Sequence, residues 1–480
     1  MVLTMLRRFR LGNHRSFHHA QDWRLSGDHD TSARPVAGVY GANAAGKSNL
    51  LDGLRFMALA VTGSFDRWPE DGGVARRPFR LDQAAALRPS SFEVELVIDG
   101  VGFGYGFDVD DEKVRHEWLH RESAGQRRLL LDRDVEGVRH VAGESESELE
   151  RAAVLGALTR PNTLLLSVAA QSHLDWALPV YRWFARQLVF VDVSRRSAAQ
   201  HHLVDLLRTS PELRAPLVEL LRLADLGIAD VVLEEEVLHQ DPLVAGLLER
   251  LQSAHATTSG LPDEDTAAGP DFGLDVPLDP SEASAARLAA NAAARTPSRE
   301  DESRSAALFF AHGAGRTRFE WEEESEGTQS CLELLPQVLR ALIHGRTLIV
   351  DEIDTSLHPG LTRRLVALFR DAAAAGYGGQ LLFTTHDTTL MRTPIAADGL
   401  DREEIWFVDK DAAGSSTLHS PAEFRVTDGA QRGGPATEAS EEGIEAAYLA
   451  GRFGAIPVVD GADFLAAVRA AIDAGRRHEG

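Results

Sequence analysis

The stretch Gly41-Ala-Asn-Ala-Ala-Gly46-Lys47-Ser48 decides the fold of this 480-residue chain. It matches the pattern G-x-x-x-x-G-K-S in full. Residues 35–40 before it form an apolar run, and residues 47–60 after it place apolar side chains at helical spacing. The sequence therefore predicts a buried strand, a glycine-rich loop and a helix, in that order.

Such a loop binds phosphate for a physical reason. Its glycines let successive backbone N–H groups curve around a phosphate, and the start of the helix adds the positive end of its dipole. Lys47 would reach the β- and γ-phosphate oxygens, and the Ser48 hydroxyl would bind Mg²⁺. The same nucleotide-binding segment includes Gly41, Asn43, Ala44, Ala45, Gly46 and Asn49. The alternative is a glycine turn that fits the pattern by chance, which the flanking strand and helix disfavour.

A second apolar run, residues 347–350, ends in Asp351 and Glu352. Ligands of α/β folds collect at the carboxyl ends of parallel strands, so we expect Asp351 to lie beside the glycine-rich loop. There Asp351 would hold Mg²⁺ through its water shell, and Glu352 would polarise the attacking water. Taken alone, an apolar run followed by two acids is commonplace and is more often a plain strand end; together with the loop at 41–48 it becomes specific.

Two further segments carry groups that suit a phosphate. His386 follows the apolar run at 380–384, where a histidine can donate a hydrogen bond to a γ-phosphate. Ser325 and Gly327 lie just before a helix predicted near 328–344, which offers a hydroxyl and helix-terminal N–H groups. Each has a plainer interpretation, since a lone histidine is usually structural and the serine could simply cap the helix. The order of all four segments indicates one class.

In this order the segments resemble those of ABC-type ATPases, in the branch with SMC, RecF and OLD proteins: a Walker A loop, a signature segment, a Walker B strand and a switch histidine. The resemblance implies ATP and Mg²⁺ as cofactors, with Lys47, Glu352 and His386 catalytic in hydrolysis to ADP and phosphate. It also implies a homodimer closed around two ATP molecules. Ser325 and Gly327 of one chain would then cap the γ-phosphate held by the other.

The chain also resembles the abortive-infection ATPases of bacterial anti-phage loci, of the AbiL type. This likeness rests on short segments in the same order, at residues 78–82, 91–96, 164–167, 224–228 and 448–457. It implies a molecular switch that acts with an effector protein encoded nearby. Two alternatives stay open, namely a DNA-repair or DNA-binding ATPase of the RecF or SMC kind, and a slowly hydrolysing, nucleotide-gated scaffold.

The composition narrows the classes of partner. A formal net charge of −23 argues against a protein that coats nucleic acid over its whole surface, although nucleic acid is left open as a local partner. Cys331, the one cysteine, excludes a disulfide framework and a multi-thiolate zinc site. We find no apolar run of about 18 residues and no signal peptide, so we expect a cytoplasmic protein without membrane contact.

The predicted fold class is α/β, an ABC-type P-loop NTPase head with an antiparallel β meander and an inserted helical subdomain. The run at 6–17 is expected to form an edge strand, and short alternating runs from residue 91 predict the meander. The stretch at 256–304 is rich in proline, alanine and acids, which predicts a disordered insertion. The expected domains are an N-terminal lobe at 1–144, a helical subdomain at 145–255, this insertion, a C-terminal lobe at 305–424 and a tail at 425–480.

Overall fold

The chain divides into two units, one made of Met1–Leu188 with Ala341–Gly480 and the other of Val189–Arg340. The structure, a computed structural model, describes residues 4–27, 33–70, 72–123, 125–141, 150, 154–192, 199–224, 226–237, 304–313, 315–355, 357–392, 399–423 and 443–455. Apart from Arg304, the insertion predicted at 256–304 lies outside these residues, as do a helix expected at 462–475 and most of the tail.

Helices and strands follow one another in chain order. The strands are β1 (Met5–Gly12), β2 (Gln21–Arg24), β3 (Val36–Tyr40), β4 (Ser90–Ile98), β5 (Val101–Val109), β6 (Val114–Ser123), β7 (Gln126–Asp134), β8 (Gly137–Val141), β9 (Leu188–Asp192), β10 (Ile228–Val237), β11 (Arg304–His312), β12 (Thr317–Phe319), β13 (Thr347–Asp351), β14 (Gln380–Thr384), β15 (Ile405–Lys410) and β16 (Ser416–His419). The α-helices are α1 (Lys47–Gly63), α2 (Gln83–Leu87), α3 (Leu165–Gln171), α4 (Leu178–Arg182), α5 (Ala199–Thr209), α6 (Arg214–Leu223), α7 (Glu326–His344), α8 (Pro359–Ala374) and α9 (Ile444–Leu449). Each helix among the described residues is too short or too polar to pass through a bilayer.

A largely parallel sheet in the first unit carries the glycine-rich loop. Its strands include, in this order, β16-β15-β3-β14-β13, where β15, β14 and β13 run parallel to the central β3 and β16 runs antiparallel to β15. Every residue of β3 is buried, as is typical of a parallel strand covered on both faces. The carboxyl ends of β3, β13 and β14 therefore meet at one edge, where the loop after β3 begins.

A seven-stranded antiparallel sheet in the same unit has the order β2-β1-β4-β5-β6-β7-β8. Along β4 buried and half-buried residues alternate, so that Phe92, Val94 and Leu96 share the core face. The predicted meander and the α/β class are confirmed. The edge position expected for the strand at 6–17 is wrong, because β2 pairs with β1 on its outer side. The four residues of β2 are too short a run for periodicity to reveal.

A buried carboxylate joins this sheet to α3. Glu117 on β6 accepts the backbone N–H groups of Leu165 at 2.7 Å and Leu166 at 2.9 Å, and the Tyr105 hydroxyl at 3.1 Å. Burial raises the pKa of Glu117, and the Arg133 guanidinium 3.6 Å away acts in the opposite direction. The carboxylate thus satisfies N–H groups that the first turn of a helix leaves unpaired.

In the second unit, β10, β11 and β12 form an antiparallel sheet with β11 in the centre. Strand β10 falls inside the stretch 145–255, for which the sequence predicted a helical subdomain. The run of acids at 234–236 masks the alternation that marks a strand. The structure also divides the chain at 188/189 and 340/341, whereas the sequence placed the boundaries at 144/145, 255/256, 304/305 and 424/425.

Candidate nucleotide-binding site

In the loop between β3 and α1, the backbone lies closer to neighbouring atoms than it could if its glycines carried a side chain. A Cβ atom added at Gly46, whose φ is 119°, would lie 2.5 Å from Ser416 Oγ and 2.7 Å from Ser16 Oγ. One added at Gly41 would lie 2.4 Å from the carbonyl oxygen of Val408, which is backbone and cannot rotate away. Glycine at both positions of the motif is therefore a steric requirement of this loop.

The start of α1 is open to an anion. Gly46 is the N-cap residue, and no side chain of the described residues caps this helix. Ala44, two residues earlier, has a left-handed φ of 62°, a conformation found in anion-binding backbone turns. Asn43, Ala44 and Ser48 are exposed. The uncapped N–H groups and the dipole of α1 together favour negative charge at this place.

Hydroxyl groups support the loop from behind. Ser16 Oγ accepts a hydrogen bond from Asn49 Nδ2 at 2.8 Å and lies 2.8 Å from Ser416 Oγ. The Ser416 hydroxyl also bonds to the carbonyl oxygen of Ala45. Through these hydrogen bonds Ser16 and Ser416 hold Ala45 and Asn49 in place and stabilise the conformation of the loop. No local pattern indicates Ser416, because its partners lie far away along the chain.

The ammonium group of Lys47 is fully engaged within the protein. Lys47 Nζ donates to the carbonyl oxygens of Gly41 at 3.0 Å and Ala42 at 3.3 Å, and it lies 2.9 Å from Nε2 of His386. Because an ammonium only donates hydrogen bonds, His386 accepts through Nε2 and carries its proton on Nδ1. Lys47 is 6% exposed. Phosphate oxygens are the groups that could replace these partners without leaving the buried charge unpaired.

Carboxylates surround this ammonium. Burial lowers the pKa of Lys47, while the charges of Glu352, Asp351 and Asp354 act to raise it. Asp351 ends β13, and its Oδ1 accepts the Ser48 hydroxyl at 3.2 Å. The expected approach of Asp351 to the loop is therefore present in the structure.

Ser48 and Asp351 suit a Mg²⁺ ion chemically. Proteins typically supply this ion with only one or two oxygen ligands, such as a hydroxyl and a carboxylate oxygen. The ion keeps several water molecules and takes its remaining ligands from substrate phosphates. In the part of the chain that the structure describes, no group of three or more histidine, cysteine or acidic side chains is gathered for a metal. The two side chains thus fit an ion shared with a nucleotide rather than an ion enclosed by protein.

Glu352 has an unusual backbone conformation directly after β13. Its φ of 51° is left-handed, which is uncommon for a residue with a side chain. The Glu352 N–H donates to Thr384 Oγ1 at 2.7 Å, and its Oε2 accepts the Thr355 hydroxyl at 3.3 Å. The side chain is exposed. Strain of this kind persists only where surrounding contacts enforce it, and it clusters at functional sites.

His386 lies two residues beyond the end of β14, at the same edge of the sheet. Its backbone N–H donates to both carboxylate oxygens of Asp354 at 3.2 Å. Burial, followed by the neighbouring charge of Lys47, lowers the pKa of His386. The imidazole is therefore neutral at physiological pH and has one N–H to donate.

The segment with Ser325 and Gly327 belongs to the second unit, whereas the loop, Asp351, Glu352 and His386 belong to the first. Ser325 is exposed just before α7, and its Oγ accepts the backbone N–H of Thr328 at 3.2 Å. Gly327 is half-buried in the first turn. The plainer interpretation of this serine as a helix cap thus holds, and the exposure of its side chain leaves a second role open to test.

Comparisons with known proteins agree with the class that the motifs indicate. A family model described as "AAA domain, putative AbiEii toxin, Type IV TA system" matches residues 36–392, which include the loop, Asp351 and His386. No curated protein matches the chain.

Solved structures with a similar fold include heads of SMC proteins. The SMC head bound to the C-terminal winged-helix domain of ScpA is 14% identical, with a TM-score of 0.39, over 86% of this chain and 97% of that one. The SMC head domain from Thermotoga maritima is 12% identical, with a TM-score of 0.36, over 86% of this chain and 98% of that one.

The family match decides the classification. It covers well over half of the chain, at residues 36–392. The ATPase class recognised from the motifs, with its likeness to abortive-infection proteins, is thereby confirmed. The chain belongs to the AAA-domain family whose description names the AbiEii toxin of type IV toxin–antitoxin systems.

Proposed function

We propose that this protein is a Mg²⁺-dependent ATPase that works as a molecular switch. The observation that carries the proposal is the convergence of Lys47, Ser48, Asp351 and His386 at one edge of the parallel sheet, around an uncapped helix start. These side chains come from three separate segments of the chain. An ammonium, a hydroxyl, a carboxylate and a neutral imidazole are the groups that a nucleoside triphosphate and its metal ion require.

Binding of ATP would exchange partners at Lys47. The β- and γ-phosphates would lie against the loop, and Lys47 Nζ would leave Gly41, Ala42 and His386 for phosphate oxygens. Ser48 and Asp351 would hold Mg²⁺, which when bound neutralises charge that develops on the phosphate oxygens.

Hydrolysis would follow by attack of a water molecule in line with the bond to ADP. The Glu352 carboxylate takes one proton from the water molecule while the oxygen of that water bonds to the γ-phosphorus. The bond between that phosphorus and the bridging oxygen breaks, and the electron pair leaves with ADP. His386, released from Lys47, donates its N–H to a γ-phosphate oxygen and stabilises the transferred group.

The switch itself would be an ATP-closed homodimer. Ser325 and Gly327 of one chain would cap the γ-phosphate bound by the loop of the other, and hydrolysis would remove the group that both chains hold. The exposure of Ser325 at the start of α7 supports this arrangement, because its hydroxyl and the helix-terminal N–H groups suit an anion.

We further propose a role in bacterial defence against phage. The matching family is described by a toxin of type IV toxin–antitoxin systems, and such a protein would act with an effector or antitoxin encoded nearby. Since the switch consumes ATP, it would work in the cytoplasm.

Steady-state phosphate release by the full chain tests the proposed activity. We expect release that needs both ATP and Mg²⁺ and that stops when the metal is chelated, because without the ion the Asp351 carboxylate would face the negatively charged phosphates with no positive charge between them. Adding duplex DNA, RNA or the product of a neighbouring gene identifies the partner that stimulates turnover. ATP-dependent, salt-sensitive DNA binding would favour a DNA-repair role instead. A chain that binds no ATP would contradict the proposal.

A further inference from the structure

The helix α9 contacts the turn that directly follows His386. One carboxylate oxygen of Glu445 accepts the Thr388 hydroxyl at 2.9 Å, and the other accepts Arg392 Nε at 2.8 Å. The turn Thr388–Met391 lies between these two contacts. A single carboxylate therefore bridges both ends of a turn that begins two residues after the histidine.

The same helix also contacts the strand that leads into the glycine-rich loop. The ring of Tyr448 stacks on Phe407 of β15, with 5.0 Å between centroids and 9° between planes, and it lies edge-on to Tyr40 at 6.3 Å. Tyr40 is the residue before Gly41. Phe453 stacks on Phe407 as well, at 5.0 Å. These aromatic contacts fix α9 to the sheet, so that Glu445 projects from a rigid base.

Apart from the buried side chains of Leu390 and Met391, the turn has few other side-chain contacts that hold it by hydrogen bonds. In the described ranges, the side-chain hydrogen bonds from residues 387–392 to elements outside the turn end on Glu445. Three buried polar atoms at this place have no hydrogen-bond partner among the described residues: Tyr40 Oη, Asp387 Oδ2 and Thr389 Oγ1. Unpaired buried groups are costly, so the turn has an evident reason to shift when Glu445 releases it.

We propose that Glu445 is a positioning residue for His386, holding the turn after the histidine so that the imidazole meets the γ-phosphate. The inference rests on the proposed ATPase function. Asp354 fixes the backbone N–H of His386 from one side, and Glu445 fixes the chain just after it from the other. Among the described residues Glu445 forms hydrogen bonds with Thr388 and Arg392, neither of which would hold the nucleotide or the metal ion, so its influence on the reaction would pass through His386.

Kinetics of single and double variants test this role. We expect Glu445→Ala to lower kcat about tenfold while ATP affinity stays within about twofold, since a misplaced group costs rate more than binding. In a His386→Ala background the same change should have no further effect. Glu445→Gln keeps one acceptor oxygen and should recover part of the loss. Glu403→Ala, which removes an exposed carboxylate in the same unit, is the control and should keep the wild-type kcat.

The outcomes separate this inference from the function on which it rests. A wild-type kcat in Glu445→Ala overturns it, as does an equal loss from Glu445→Ala in the presence and absence of His386. If Glu445→Ala does not fold, Thr388→Val is tested in its place, since it removes the hydrogen bond from the Thr388 hydroxyl to Glu445. A wild-type kcat in this variant, or an equal loss with and without His386, would likewise overturn the role. A wild-type chain without ATP turnover overturns the ATPase itself and this role with it.

Discussion

Glu352→Gln is expected to lower kcat for ATP hydrolysis by about 10²–10³-fold and to leave ATP affinity within about twofold. The amide keeps the size of the side chain and its contact with the Thr355 hydroxyl, but it cannot accept a proton from the attacking water. The closed dimer would then form, but its bound ATP would not be hydrolysed. The variant should therefore accumulate as an ATP-bound dimer.

Phosphate release and size-exclusion chromatography, with and without ATP, measure the two effects together. Glu403→Gln, a matched change at an exposed glutamate of the same unit, should behave like the wild type. A Glu352→Gln chain that stays monomeric with ATP and turns over at the wild-type rate would remove Glu352 from the mechanism.

Lys47→Ala is expected to weaken ATP binding about 100-fold and to abolish measurable hydrolysis, since it removes charge-assisted hydrogen bonds to two phosphates. In the present structure the Lys47 ammonium is paired with Gly41, Ala42 and His386, so its loss also frees the histidine. Equilibrium binding of a fluorescent ATP analogue measures the effect.

The control for this change is Lys410→Ala, an exposed lysine at the end of β15 in the same unit. It should bind the analogue as the wild type does. Wild-type affinity in Lys47→Ala would mean that the loop at 41–48 does not hold the phosphates.

Local patterns predicted the elements that carry the chemistry. The loop at 41–48 and the periodicity at 47–60 correspond to the loop after β3 and to α1, because both signals arise within a few residues. The approach of Asp351 and His386 to Lys47 was also predictable. All three follow parallel strands, and the carboxyl ends of such strands meet at one edge of the sheet.

Contacts between distant segments left no such signal. Ser16 and Ser416 support the loop from positions 400 residues apart, and Glu445 reaches the turn after His386 from 57 residues beyond Thr388. The pairing of β2 with β1 was missed for another reason, because the four residues of β2 are too short a run for periodicity to reveal. Long-range hydrogen bonds of this kind follow from the fold and cannot be derived from periodicity.

A mixing experiment tests the central claim, a nucleotide held between the loop of one chain and Ser325 of another. Lys47→Ala and Ser325→Arg should each be inactive alone. In an equal mixture, half of the dimers would combine both chains and hold one intact site, so about a quarter of wild-type ATPase activity should return. Lys47→Ala mixed with the double variant Lys47→Ala/Ser325→Arg contains no intact site and serves as the control. No recovery in the first mixture, or full activity of Ser325→Arg alone, would contradict the shared site.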